Sequence, residues 1–234
     1  MTMILMGVIT AGVVSCKKEV TGAGPAVTQT RPISYFNAIE LAMPGDVYYT
    51  NDTINKVEIL AQQNILDMIQ TYVSGNKLVI KFSGNYDYRT SSNIRINISG
   101  HSVSHFEATA AGSIYCINTF QPANLYLKAS GSGAIRINNV VTGNIEATTN
   151  ASGSIIAMGG FAISETLKTS GSGTIDLISV TAKTVTAKTS GSGNIKIKVS
   201  DHLNATIEGS GSIYFTGFPQ VSSHVYGTGH IIHY

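Results

Sequence analysis

Thirteen acidic residues, fifteen Lys and Arg, six His and two Cys are the side chains of this 234-residue chain with the means to do chemistry. Cleaving a polysaccharide would take two carboxylates held side by side, with Lys or Arg near them or Ca²⁺ between them. A zinc site would take converging His, Cys or carboxylate ligands. Neither is written as a compact motif. The acids are scattered, and His224, His230 and His233 have no Cys or carboxylate beside them. The reading at this level is no catalytic centre, no metal and no cofactor.

Cys16 is the residue whose context does imply a reaction. Met3 to Val14 is an apolar run of about a dozen residues, too short to span a bilayer and the right length for the hydrophobic part of a secretory signal. It ends in Val13-Val14-Ser15-Cys16, which resembles a bacterial lipobox. The resemblance implies that Cys16 is lipidated and becomes the mature amino terminus. The three acyl chains it implies, at roughly 0.8 kcal/mol per buried CH₂, would keep the protein on its membrane. Residues 1–15 are therefore expected to be a lipoprotein signal peptide. Residues 16–30, small and polar with Gly22, Gly24 and Pro25, are expected to be a flexible tether.

The elements that must position any site come from an internal repeat. Gly112, Gly133, Gly153, Gly173, Gly193, Gly211 and Gly229 recur at spacings of 21, 20, 20, 20, 18 and 18 residues, each within an Ala/Gly-Ser-Gly-like run. A period this regular is that of a solenoid. On both sides of each glycine, apolar residues alternate with polar ones, as in Leu125 to Ala129 and Ile135 to Ile137, which is the period of a half-buried strand. Equivalent strands about 20 residues apart point the same way and must pair in parallel, each coil rising about 4.8 Å. The prediction is all-β: a right-handed parallel β-helix with coils of about 18–21 residues. The structural glycines would supply the corners, through positive φ or a lack of room for Cβ.

Composition agrees. Only 12% of residues are charged, 43% are hydrophobic and mean hydropathy is +0.15, which excludes a coiled coil and a disordered chain. Net charge is +2 and no basic run exceeds Lys17-Lys18, so no nucleic-acid partner is expected. Residues 31–234 read as one domain. Residues 31–99 lack the glycine repeat and read as irregular first coils and an N-terminal cap, with a short helix within Asn64 to Tyr72, while 100–234 are the Gly-Ser coils.

Stacking lets side chains be read as columns. Ile114, Ile135, Ile155, Ile175, Ile195, Ile213 and Ile231 form an inward ladder, and two residues further on Cys116 faces inward too, where a thiol is a small apolar group rather than a nucleophile. Three residues after each glycine the outward column is Tyr115, Arg136, Ile156, Asp176, Lys196, Tyr214 and Ile232, with no neighbouring carboxylates. Asp176 beside Lys196 is a cross-coil ion pair. Thr148, Lys168 and Lys188 share another outward column and are the candidate ligand face, toward a glycan or an envelope protein. Thr148, Thr149, Thr166, Thr169, Thr186 and Thr189 form a flat hydroxylated ladder, of a kind that can bind extended polymers but is read first as strand-forming residues that keep the face soluble.

The opening Tyr35-Phe36-x-x-Ile39, Pro44-Gly45-Asp46-Val47, Ser74-Gly75-Asn76-Lys77-Leu78-Val79-Ile80, the Ser-Gly-Ser-Gly coils, and Tyr214-Phe215-x-Gly217-x-Pro219 before a final Gly-x-Gly are similar to the DUF2807 family, "putative auto-transporter adhesin, head GIN domain". Such proteins are common among Bacteroidetes lipoproteins. The resemblance covers about residues 31 to 234 and implies a right-handed β-helix in the cell envelope, with no catalytic motif. The function expected is a non-catalytic envelope lipoprotein, an adhesin or surface-binding scaffold at the outer membrane that faces the periplasm or the surface. The alternative weighed is a carbohydrate-active β-helix. Its partners are the membrane, through the anchor, and a glycan or envelope protein, with oligomers a further outcome if coil edges associate.

Overall fold

A computed structural model of the protein describes residues 18–84, 86–89 and 93–234. Cys16, the expected lipidation residue, lies outside them. Strands make up 65% of the described residues and helix 2%, and the parallel coils stack into a β-solenoid of about six turns.

Each coil has three walls, and the burial pattern shows why. In the strand Ala134–Thr149, residues 135 and 137, then 140 and 142, then 145, 147 and 149 are buried. Alternation slips between 137 and 140 and again between 142 and 145, so the chain turns a corner at each slip while keeping apolar side chains inside. The front wall follows the glycine corner and the back wall leads into it.

The inward isoleucine ladder is in register from coil to coil, Ile114 with Ile135, Ile155, Ile175, Ile195, Ile213 and Ile231 in succession. The first six are fully buried. Cys116 is buried beside them as a free thiol, and burial pushes its pKa well above the ordinary range.

The corner glycines work by closeness and not by unusual dihedrals. None of the seven has a positive φ. A Cβ on Gly193 would overlap the Gly173 carbonyl oxygen, and one on Gly173 would overlap that of Gly153. The corners are laced by bonds between coils, Gly193 N–H to Gly171 O at 3.0 Å and Gly211 N–H to Gly191 O at 3.0 Å. Glycine is required because the neighbouring backbone occupies the space of a side chain.

The cap departs from chain order. The strands Ala38–Ala42 and Asp46–Asn51 lie between two later segments, with Lys77–Phe82 and Arg95–Gly100 on one side and His105–Ala108 and Ser113–Phe120 on the other. Antiparallel strands seal the end. On the front wall Lys56–Gln62 pairs with Arg95–Gly100 and Ala26–Arg31 pairs with Lys56–Gln62, while on the back wall Ile69–Ser74 pairs with Lys77–Phe82. A four-residue helix, Gln63–Leu66, buries Ile65 and Leu66. Inside, Tyr49, Phe106 and Phe120 pack edge to face, with the Tyr49 hydroxyl donating to Gly100 O at 2.9 Å.

Three expectations are corrected. The helix within Asn64 to Tyr72 shrinks to Gln63–Leu66, since Ile69–Ser74 is a strand turned back by Gly75 (φ 56) and Asn76 (φ 63), a two-residue turn with both centres left-handed. Much of the expected tether is ordered: Lys18–Thr21 pairs with Tyr86–Arg89, and Ala26–Arg31 is the outermost front-wall strand. The threonine surface is divided, because Thr149, Thr169 and Thr189 are buried. The Thr169 and Thr189 hydroxyls donate to Gly173 O and Gly193 O, at 3.3 and 2.9 Å.

Candidate functional site

The outward side of the back wall carries one continuous column. Register places Glu40 beside Glu107, then Lys128, Thr148, Lys168, Lys188, Thr206 and His224. Thr148, Lys168 and Lys188 thus stand next to one another. Lys188 is neutralised across coils by Glu208 at 2.6 Å, and Lys168 forms no ion pair with any described residue.

The column's other end holds what sequence reading missed, two carboxylates in adjacent coils. Lys77 Nζ lies 2.8 Å from Glu40 Oε2 and 3.3 Å from Glu107 Oε2, and Lys128 Nζ lies 2.6 Å from Glu107 Oε1. Burial opposes the Glu107 charge, but the bonds from Lys128 and Lys77 outweigh it and hold the carboxyl below its usual range. Lys77 is raised, first by its bond to Glu40. The signal was hidden because the strand of Glu40 reaches Glu107 only through the out-of-order cap.

Beside this cluster His105 stacks on Tyr126, ring centres 5.8 Å apart, and its desolvation lowers the imidazole pKa. Tyr126 also borders a cleft of about 600 Å³, lined by His101, Ser102, Ser104, Gln121 and Asn124 among others. Its hydroxyl and amide groups lie beside apolar Val103, Phe120, Pro122 and Ala123, and among the described residues no Asp, Glu, Lys or Arg lines it.

On the front wall Asp176 and Lys196 pair at 3.5 Å. Tyr115 stacks flat on Tyr48, which lies below the Arg95 guanidinium at 3.9 Å. His233 bonds to Gly217 O at 2.8 Å and packs on Phe215 and Phe218, away from any ligand set. Among the described residues, no three His, Cys, Asp or Glu cluster to hold a metal.

Inside the back wall sits a second missed residue. Glu165 faces inward between Ile145 and Val185, 1% exposed, with neither carboxyl oxygen hydrogen-bonded. Desolvation pushes its pKa up to about 8.

A chemistry can be weighed from these two acids. A general acid at neutral pH needs a carboxyl with a raised pKa in reach of substrate. Glu107 is shifted the wrong way, and Glu165 is sealed from any ligand.

The three-walled stack with a closed cap is a parallel β-solenoid bearing polar outward ladders. A family model described as "Putative auto-transporter adhesin, head GIN domain" matches residues 35–219, and the chain belongs to that family. The crystal structure of a "putative adhesin" from Bacteroides fragilis NCTC 9343 is similar, with a TM-score of 0.87 and 23% identity over 92% of this chain and 100% of that one. A "putative adhesin" from Parabacteroides distasonis ATCC 8503 has a TM-score of 0.76 at 21% identity, over 93% of this chain and all of that one. A "putative lipid binding protein" from the same organism has a TM-score of 0.79 at 22% identity, with the same coverage. These likenesses show the fold. No curated protein matches the chain. No helix among the described residues is long and apolar enough to cross a membrane.

Proposed function

We propose that this protein is a non-catalytic module of the cell envelope, anchored through a lipid on Cys16, that adheres to extended polar polymers, glycans foremost, along its back wall. The observation that carries this reading is the column Lys128, Thr148, Lys168, Lys188 and Thr206, in which the Lys168 ammonium, free of any ion pair with a described residue, and the threonine hydroxyls stand between lysines paired with Glu107 and Glu208, beside the cleft at Tyr126. A polymer of repeating hydroxyls or carboxylates meets donors at regular intervals of about 4.8 Å there. The adhesin-like family supports it. The lowered pKa of Glu107 and the burial of Glu165 argue against acid–base cleavage by the same surface.

The test is glycan-array binding by the protein and by a Lys168→Glu/Lys188→Glu variant with Tyr126→Ala alongside. Binding that falls at least tenfold in the variants at unchanged melting temperature, with no new reducing or unsaturated ends, supports the reading. Release of such ends, or binding indifferent to all three substitutions, overturns it. Labelling of cells with an alkyne fatty acid, compared with Cys16→Ser, tests the anchor, and protease shaving distinguishes the outer from the periplasmic face.

A further inference from the structure

The cleft at Tyr126 lies where the cap meets the first glycine coil, and the chain is irregular there in two places. The spacing of 21 residues from Gly112 to Gly133 is one longer than the next, and the extra residue falls between Cys116 and Thr119, where pairing with the strand Ala134–Thr149 slips. A bulge of this kind re-aims the side chains beside a site. Asn118, within it, clamps the backbone of Asn51, its side-chain oxygen accepting from Asn51 N–H at 2.9 Å and its nitrogen donating to Asn51 O at 3.0 Å. Asn51 is thereby fixed in the cleft lining. The second irregularity is Ser102, whose φ of 63 puts a non-glycine residue in the left-handed region, in the loop His101 to Ser104 that lines the same cleft. Such strain persists where the surroundings impose it, and it gathers at binding sites.

The polar groups of the cleft are unspent. The side chains of His101, Ser102, Ser104, Gln121 and Asn124 and the Tyr126 hydroxyl form no hydrogen bond with any described residue. Each hydroxyl and amide among them can both donate and accept. Tyr126 is steadied by its stack on His105, and Val103, Phe120, Pro122 and Ala123 add apolar surface. The volume, about 600 Å³, falls within the roughly 300–1,000 Å³ of small-molecule sites.

This lining selects by chemistry. A charged ligand would leave water for a cleft whose described lining has no Asp, Glu, Lys or Arg to meet it, while the neighbouring Glu107 is already committed to Lys77 and Lys128. A sugar ring brings hydroxyls that donate and accept alike, together with an apolar C–H face. We infer, resting on the glycan reading of the back wall, that this cleft binds one uncharged sugar unit and sets which glycans the wall accepts. The column of Lys128, Thr148, Lys168 and Lys188 then adds contact that does not depend on the identity of the sugar.

The experiment titrates the full chain carrying Cys16→Ser with glucose, galactose, mannose and N-acetylglucosamine, and with glucuronate and galacturonate as charged counterparts, up to about 50 mM. Backbone amide NMR shifts locate the binding. At least one neutral sugar is expected to shift His101 to Ser104 and Gln121 to Tyr126 saturably, with the uronates at least about tenfold weaker. Ser102→Gly keeps the left-handed turn and removes the hydroxyl, and Gln121→Ala/Asn124→Ala removes two exposed amides. Each is expected to weaken the neutral sugar by about three- to tenfold, the loss of a neutral hydrogen bond, at unchanged melting temperature. Asp176→Asn on the front wall is the control and leaves the affinity as it is. No shift of those amides by any neutral sugar, a uronate bound as tightly, or affinity indifferent to Ser102→Gly and to Gln121→Ala/Asn124→Ala overturns the inference. Glycan-array binding that depends on Lys168 and Lys188 is read separately, so the back-wall reading can stand where this one falls.

Discussion

The capped region and the glycine coils solve the same problem with different means. Up to Phe120 the interior is filled by large rings, Phe36, Tyr49, Phe106 and Phe120, and the chain crosses itself to place one pair of strands between two later ones. From Ala129 onward the interior is Ile, Leu, Val, Ala and Thr in register, broken only by Glu165 and by Phe215 in a late coil among the described residues, and each coil lies directly on the one before. The difference teaches that a repeat can be thin, with backbone touching backbone at each glycine, whereas a cap must be thick enough to seal a mouth.

The largest effect expected is at the corners. Gly193→Ala inserts a methyl into the Gly173 carbonyl and should cost about 3 kcal/mol or abolish folding. Gly75→Asn, in the open cap turn, should cost less than about 1 kcal/mol, because Asn tolerates a left-handed φ and nothing lies within 4 Å. Equal losses in denaturant melts would erase the contrast.

Next comes Glu165, the one acid within the thin interior. Its folded pKa, about 8, lies above the ordinary 4.5, so it stabilises the fold fully only in acid, and that contribution is lost as pH rises toward 8. Glu165→Leu should therefore raise stability by on the order of 3 kcal/mol at pH 7, an advantage that shrinks below about pH 4. Thermal melts across pH read this, and a pH-independent difference would contradict it.

Glu107, on the outside of the same wall at the cap, should behave with the opposite sign. Its lowered pKa means its contribution is present at neutral pH and lost in acid. Glu107→Gln should destabilise by about 1 kcal/mol at pH 7, a modest figure because both lysines are partly exposed to solvent screening, and the deficit should close in acid. The smallest effect belongs to Asp176→Asn, within about 0.5 kcal/mol, since its pairing with Lys196 is partly exposed.

Legibility followed the same divide. In the glycine coils, spacing alone placed Ile135, Ile155, Ile175 and Ile195 in one file and Thr148, Lys168 and Lys188 in another, because stacking converts sequence offset into position. Glu165 escapes the pattern there because alternation marks an inward column by its apolar residues and this one is an acid. Carrying the columns of Ile145 and Val185 across by twenty residues lands on it. In the cap no offset converts into position. Glu40 and Glu107 meet because a segment is inserted out of order, and Ile69–Ser74 was masked as helix although Gly75-Asn76 is a hairpin turn by its residue types. The ordered strand Ala26–Arg31 had a linker's composition and took its structure from the Lys56–Gln62 edge.

The central claim is that antiparallel strands seal the N-terminal end of this solenoid, on which the glycine coils then stack in parallel. Amide hydrogen exchange on the full chain tests it most directly. The account predicts that Gln220–Val225 and Ile231–His233 exchange first, with protection rising through the glycine coils and persisting in Lys56–Gln62 and Lys77–Phe82. Exchange in those two cap strands as fast as in Gln220–Val225 would contradict it.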